Sequence, residues 1–156
     1  MKGRRLFLSL VLAALVALAL AGAASAARLD GADHGGRPLS TTMTGAAEVP
    51  GPGDPDGSGT AKLTFNLGRE EVCWEITAQD LTLPATAAHI HVGAAGTAPA
   101  NNVVVTLSAP DASGFTSGCT TVERELAEDI LDNPENYYVN VHNSDFPGGA
   151  IRGQLS

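Results

Sequence analysis

The feature of this sequence that most constrains its fold is a pair of segments in which polar rings alternate with apolar residues. His89 and His91 flank Ile90 in the first segment, and the run 137–142 ends in His142 in the second. Side chains two residues apart on a strand point to the same face, so each segment predicts a strand with one apolar face. The three imidazoles then lie opposite the core. If the two strands are neighbours, they form a ligand set suited to copper or zinc.

Period-two alternation continues along much of the chain and predicts seven short strands separated by turn residues. One helix near 121–133 interrupts the strands, because Thr120 to Glu123 forms a capping-box signature and Val122, Leu126 and Ile130 recur every four residues. Together these elements predict an all-β sandwich with a short helical insertion. The strands are expected near 39–47, 60–67, 71–77, 88–92, 103–107, 137–142 and 150–155.

The N-terminus has the organisation of an export signal. Basic Lys2, Arg4 and Arg5 precede an apolar run, and Ala24-Ser25-Ala26 is a small-residue cleavage site. We therefore expect residues 1–26 to be a signal peptide, residues 27–38 a flexible leader, and 39–156 the folded domain. Export by the general secretory route is expected, with the twin-arginine route as the alternative because of Arg4-Arg5. A secreted or periplasmic protein without membrane insertion after cleavage follows.

The charge of the exported part excludes two classes of partner. The signal contains three of the nine basic residues and no acidic ones, which leaves six against 17, a net charge of −11. So acidic a chain, without a Lys/Arg cluster, is unsuited to nucleic acid or to an anionic membrane surface.

Cys73 and Cys119 both follow the predicted signal, and an even pair in an exported chain predicts a disulfide. Cys73 alternates with the apolar Val72 and Trp74, so it faces away from the core. The bond is expected to clip the loop before the helix onto the outside of a strand. A metal–thiolate pair is the alternative.

Four motifs resemble the chordin-type (CHRD) domain family over residues 39–156. They are the segments 45–50, 87–91, 138–142 and 147–155, in that order. The family takes its name from a secreted animal antagonist of growth factors, but this short exported chain resembles its single-domain bacterial members. The resemblance implies a binding or structural module with an unknown extracellular or envelope protein as partner, and growth-factor binding is not carried over.

A more distant resemblance is to the Cu/Zn superoxide dismutase sandwich, in which similar residues surround copper. His89, His91, His142 and Arg152 occur here in the matching order. The resemblance implies an antiparallel Greek-key sandwich of the superoxide-dismutase or immunoglobulin type. The bridging histidine and the zinc-loop ligands of the enzyme have no counterpart, and the remaining histidine, His34, lies in the predicted leader. A copper-binding dismutase-like enzyme is therefore an alternative, and the sequence favours a non-enzyme.

The residues around the histidines leave further alternatives open. Tyr138 and Asn140 share a strand face with His142 and are expected to orient the ligands. Arg152 is expected to pair with a carboxylate such as Glu48, or else to steer an anion towards a metal. If the imidazoles instead hydrogen-bond one another or the backbone, the chain is a metal-free envelope interaction module. No catalytic residue is indicated, because the sequence shows no nucleophile motif or cofactor fingerprint.

Overall fold

The computed structural model describes residues 35–99 and 102–156. The predicted signal peptide, His34 and most of the predicted leader lie outside the described residues. The described chain forms eight strands and one α-helix, all strand pairs being antiparallel. The strands are β1 Arg37–Thr44, β2 Ser58–Asn66, β3 Glu71–Gln79, β4 Ala87–Val92, β5 Val103–Leu107, β6 Phe115–Thr121, β7 Tyr137–His142 and β8 Ile151–Gln154, and the helix, α1, is Arg124–Asp132.

The strands follow from the alternation of apolar and polar residues. In β2, Leu63 and Phe65 are buried while Thr60 and Lys62 are exposed, because successive side chains point to opposite faces. Strand β1 starts at Arg37, which pairs with Phe65 of β2. The last two residues of the predicted leader therefore belong to the sheet, where pairing with β2 orders them without any apolar signal of their own.

The strand order is β5-β4-β7-β8-β1-β2-β3-β6. Strands β1 and β8 share one residue pair of the ladder, Thr44 with Arg152, and this short pairing joins two four-stranded halves of the sheet. Apolar residues from both halves and from α1 form one core, including Met43, Ile76 and Ile130. The predicted all-β antiparallel sandwich with one short helical insertion is confirmed.

The helix begins later than predicted. Thr120 and Thr121 belong to β6, paired with Val72 and Glu71 of β3, and α1 begins after Glu123 without a side-chain cap. The predicted capping box is wrong, because pairing with β3 outweighs the local helix signal. Strand β6 was not predicted, since its inward positions hold Thr116, Gly118 and Thr120 in place of large apolar residues.

The predicted disulfide between Cys73 and Cys119 is present. The two residues are directly opposed in the β3–β6 ladder, so the bond links two strands and does not clip a loop. This differs from the expectation because Cys119 lies in the unpredicted strand. Both sulfur atoms are used in the disulfide, which removes the metal–thiolate alternative.

Candidate metal centre

Strands β4 and β7 are neighbours, as the metal hypothesis requires. Their register places His89 opposite Asn140, His91 opposite Tyr138, and Ala87 opposite His142. Ile90 and Val139, which alternate with these residues, are fully buried in the core. The three histidines therefore project from the face of the sheet that is turned away from the core, as their spacing predicted.

That face is covered by the connection that follows β4. Arg152 of β8 donates from Nη1 to the Thr97 carbonyl at 2.7 Å and from Nη2 to the Ala94 carbonyl at 3.1 Å. These bonds hold the connection that follows β4 against the sheet, where Gly93 lets its backbone lie close to the Tyr138 ring. Four side chains beneath are almost fully buried, namely His91, Tyr138, Asn140 and Arg152.

The imidazoles of His89, His91 and His142 converge. One nitrogen of each lies within 4.8 Å of those of the other two. Three such atoms are at most about 2.8 Å from a common point, close to the metal–nitrogen distance of about 2.0–2.1 Å. His89 Nδ1 and His142 Nε2 are 3.2 Å apart. Small side-chain adjustments are enough for all three nitrogens to reach one ion.

The proton on His91 is placed by Asn102. The Asn102 amide nitrogen donates to the Val92 carbonyl at 3.0 Å and to the Tyr138 hydroxyl at 2.8 Å. Its oxygen therefore faces His91 Nδ1, at 2.9 Å, and must accept a proton from it. In the neutral ring this leaves a lone pair on His91 Nε2.

The same reasoning applies to His142. Its Nδ1 lies 3.1 Å from the Pro147 carbonyl, which can only accept, so Nδ1 carries the proton. The Nε2 lone pair of His142 then faces Asn140 Oδ1 at 3.1 Å, and the Nε2 lone pair of His91 faces the same oxygen at 2.9 Å. Two imidazole lone pairs and an amide oxygen therefore converge, and the neighbouring group that can supply a proton is His89 Nδ1, 3.2 Å from His142 Nε2.

The three rings are held in their neutral form. Burial, and after it the neighbouring His142 and His91, lower the pKa of His89 to about 4. Burial is also the main cause that lowers the pKa of His91 and of His142. At neutral pH the imidazoles are therefore available as metal ligands, because protonation does not occupy their lone pairs.

A stack of planar groups supports one side of the cluster. The rings of His91 and Tyr138 are parallel within 4°, with centroids 4.8 Å apart, and Arg152 Cζ lies 3.4 Å from the centroid of the same tyrosine. Both groups contact the ring this closely only from opposite faces, so Tyr138 lies between an imidazole and a guanidinium. The stack fixes the plane of His91 and offsets part of the cost of burying Arg152.

Glu48 is buried beside this layer. A Cβ on Gly149 would lie only 2.5 Å from the Glu48 carboxyl, so a glycine is required there. Burial raises the pKa of Glu48 to about 7, against the opposing influences of Arg152, the Val49 backbone and the Asn140 side chain. Arg152 and Glu48 therefore influence each other electrostatically but do not form the expected direct pair. The guanidinium donates its hydrogen bonds to the Ala94 and Thr97 carbonyls instead.

Sequence reasoning missed two groups that orient the histidines, Asn102 and the Pro147 carbonyl. Both lie outside the strands, so alternation does not place them. A backbone carbonyl also has no side-chain identity that a motif can show. Among the described residues, no helix has the length and apolar character needed to cross a membrane.

The chain matches the family model of the CHRD domain over residues 39–155 and therefore belongs to that family. The match covers the eight strands, apart from the first two residues of β1, and the histidine cluster between β4 and β7. A search of curated proteins found no match.

Proposed function

We propose that this chain is an exported CHRD-domain module that binds one transition-metal ion through His89, His91 and His142. The observation that carries the proposal is the convergence of Nε2 lone pairs on His91 and His142, each ring having its other nitrogen committed as a donor. Hydrogen bonds to the far nitrogen of a metal-bound imidazole fix its tautomer and orientation in the same way. A bound cation would remove the repulsion between these lone pairs.

The ligand chemistry selects the metal class. Neutral imidazole nitrogen suits copper and zinc, whereas magnesium and calcium require several oxygen ligands. Within the described residues the cluster holds three histidines and no carboxylate. We therefore propose copper or zinc as the ion.

Export is part of this proposal. Its support is the N-terminal basic, apolar and small-residue pattern, together with a disulfide, which persists in an oxidising compartment. The expected mature N-terminus is Ala27, which N-terminal sequencing of secreted or periplasmic material would check. Recovery of an uncleaved chain in the membrane fraction would contradict it. The partner is then a protein of the envelope or the extracellular medium.

The main test is metal analysis of the mature protein purified without a histidine tag, followed by titration with copper and with zinc. One equivalent is expected to bind, and His89→Ala, His91→Ala and His142→Ala are each expected to weaken binding. His34→Ala is the matched control, because His34 lies in the predicted leader. Affinity should fall as the pH is lowered through the reduced pKa values of the imidazoles, about 4 for His89, because protons then compete for the lone pairs. If the His34 variant and the cluster variants behave alike, the proposal fails.

Dismutase activity is the competing enzymatic function, and we expect it to be low or absent. The sequence lacks the bridging histidine and zinc-loop ligands of the related enzymes. A copper-loaded sample that removes superoxide near the diffusional ceiling of about 10⁸–10⁹ M⁻¹s⁻¹ would reverse this assignment.

A metal-free interaction module is the second candidate, and one contact favours it. His89 Nδ1 and His142 Nε2 are 3.2 Å apart, a distance at which one ring donates to the other. In that case the wild-type protein would bind neither copper nor zinc. The His89→Ala variant would then have a lower free energy of unfolding and, like wild type, no metal binding.

A further inference from the structure

The centre of the histidine cluster is occupied by the side chain of Asn140, which does not belong to the ligand set proposed above. Asn140 is almost fully buried on β7, with His89 of β4 as its partner on one side and Arg152 of β8 on the other. Its amide oxygen lies 2.9 Å from His91 Nε2 and 3.1 Å from His142 Nε2.

These separations agree with the spacing of ligands around one small ion. Two ligand atoms bound at about 2.0–2.1 Å, with an angle of about 90–110° between them, are about 2.9–3.4 Å apart. The two contacts of Asn140 Oδ1 fall in this range, as does the 3.2 Å between His89 Nδ1 and His142 Nε2. Ordinary hydrogen bonds have the same length, so the argument for ligation is that both ring nitrogens facing this oxygen are the deprotonated ones.

The orientation of the amide decides which of its atoms could bind an ion. The amide oxygen of Asn140 is the atom that lies within hydrogen-bonding distance of the Nε2 atoms of both His91 and His142. Those two ring nitrogens face it because the other nitrogen of each ring donates to Asn102 and to the Pro147 carbonyl.

We propose that Asn140 Oδ1 is the fourth protein ligand of the metal ion, completing a closed site of three imidazoles and one amide oxygen. The inference rests on the metal binding proposed above. A site with four protein ligands and no open position is typical of structural metal centres, whereas catalytic centres keep a position for water or substrate. The ion would therefore tie β4 to β7 and leave no position for a small anion.

Cobalt(II) is the probe for the test, because its visible absorption reports coordination number and exogenous ligands. The mature, tag-free protein loaded with one equivalent of cobalt(II) is expected to give a four-coordinate spectrum that azide does not change. In Asn140→Ala, water replaces the amide oxygen, so azide should shift the spectrum, and cobalt(II) affinity should fall at least about tenfold.

Two variants separate ligation from general damage to the site. Asn140→Asp retains an oxygen at this position and should restore azide insensitivity. Asn102→Ala removes the other asparagine that contacts His91, on the ring nitrogen that points away from the cluster. It should weaken affinity through loss of orientation, yet its spectrum should stay insensitive to azide.

The outcomes distinguish this inference from the function on which it rests. If wild-type protein takes up no stoichiometric cobalt, zinc or copper, the metal proposal itself fails. If cobalt binds and azide shifts the wild-type spectrum as it does that of Asn140→Ala, the ion has an open position and Asn140 is not a ligand. The wild-type azide titration decides this point even if Asn140→Ala does not fold.

Discussion

The two halves of the sandwich differ in how far the side chains on their outer faces are exposed to solvent. On the half formed by β1, β2, β3 and β6, the outward side chains include Thr60, Lys62 and Thr77, which are exposed. Thr60 and Thr77 share a hydrogen bond of 2.8 Å across β2 and β3, in contact with solvent. On the half formed by β5, β4, β7 and β8, the outward side chains include Asn140 and Arg152, which are buried beneath the connection after β4.

The difference shows where this fold is constrained by more than stability. Buried polar groups cost free energy unless each one finds a partner, whereas exposed threonines and lysines cost little. The second half therefore contains a polar layer whose every member needs a specific neighbour. Such a layer is expected at a binding site and is unnecessary for a sheet that only has to fold.

The largest expected effect comes from comparing substitutions on the two faces of β4 with one on the solvent-exposed face of β3. Ile90→Asp places a charge in the core and should prevent folding, with a loss above about 4 kcal/mol. His91→Asp should cost about 2–3 kcal/mol because the covered layer is also desolvated. Thr77→Asp should change the free energy of unfolding by less than about 0.5 kcal/mol. Urea denaturation would rank them, and equal losses for His91 and Thr77 would show that the polar layer is open to solvent.

The next largest effect is expected from the disulfide, which lies in the half formed by β1, β2, β3 and β6. Replacing Cys73 and Cys119 together by serine should lower the free energy of unfolding by about 3–4 kcal/mol, since the bond closes a segment with a sequence separation of 46. The β4–β7 half lies elsewhere in the sheet, so metal affinity should stay near the wild-type value. Thermal melts with and without the metal would check both statements, and a large loss of affinity would mean that the halves are coupled.

The third largest effect is expected from removing the Arg152 guanidinium, which holds the connection after β4 against the sheet. Arg152→Ala leaves the Ala94 and Thr97 carbonyls without their donor and uncovers the Tyr138 ring, which should cost about 2–3 kcal/mol. Arg37→Ala, which removes an exposed arginine paired with Asp132, should cost less than about 1 kcal/mol. Hydrogen exchange at residues 93–97 should rise only in the Arg152 variant. Similar exchange in both variants would show that other contacts hold the connection.

The smallest effect concerns the pH dependence of stability through Glu48. Its pKa is raised from 4.5 to about 7 in the folded chain, so the protonated form is favoured by folding. The associated stability is present below about pH 4.5 and is lost as pH rises through about 7. In metal-free protein, the free energy of unfolding of Glu48→Gln should therefore increase by about 1–2 kcal/mol relative to that of wild type as the pH is raised between these values. Glu125→Gln, on the exposed face of α1, should gain nothing, and parallel pH profiles for both variants would contradict the burial of Glu48.

Much of the fold and part of the site were predictable from local pattern. The alternation of His89, Ile90 and His91 places two imidazoles on one strand face because a strand repeats every two residues. The strand pattern, with the resemblance to the superoxide dismutase sandwich, predicted the fold class, and the two cysteines predicted their own bond. Strand β6 escaped detection because Thr116 and Gly118 occupy inward positions where an apolar residue would have marked it.

The sequence by itself determined which side chains share a face, because that depends only on the backbone period within a strand. The tertiary structure decided that β4 lies beside β7, so that His142 joins the other two histidines. It also decided that Asn102 and the Pro147 carbonyl orient the rings, and that Arg152 holds the connection over them. These relations join residues far apart in the chain through loop and backbone groups, whose positions depend on packing and hydrogen bonding across the whole sheet.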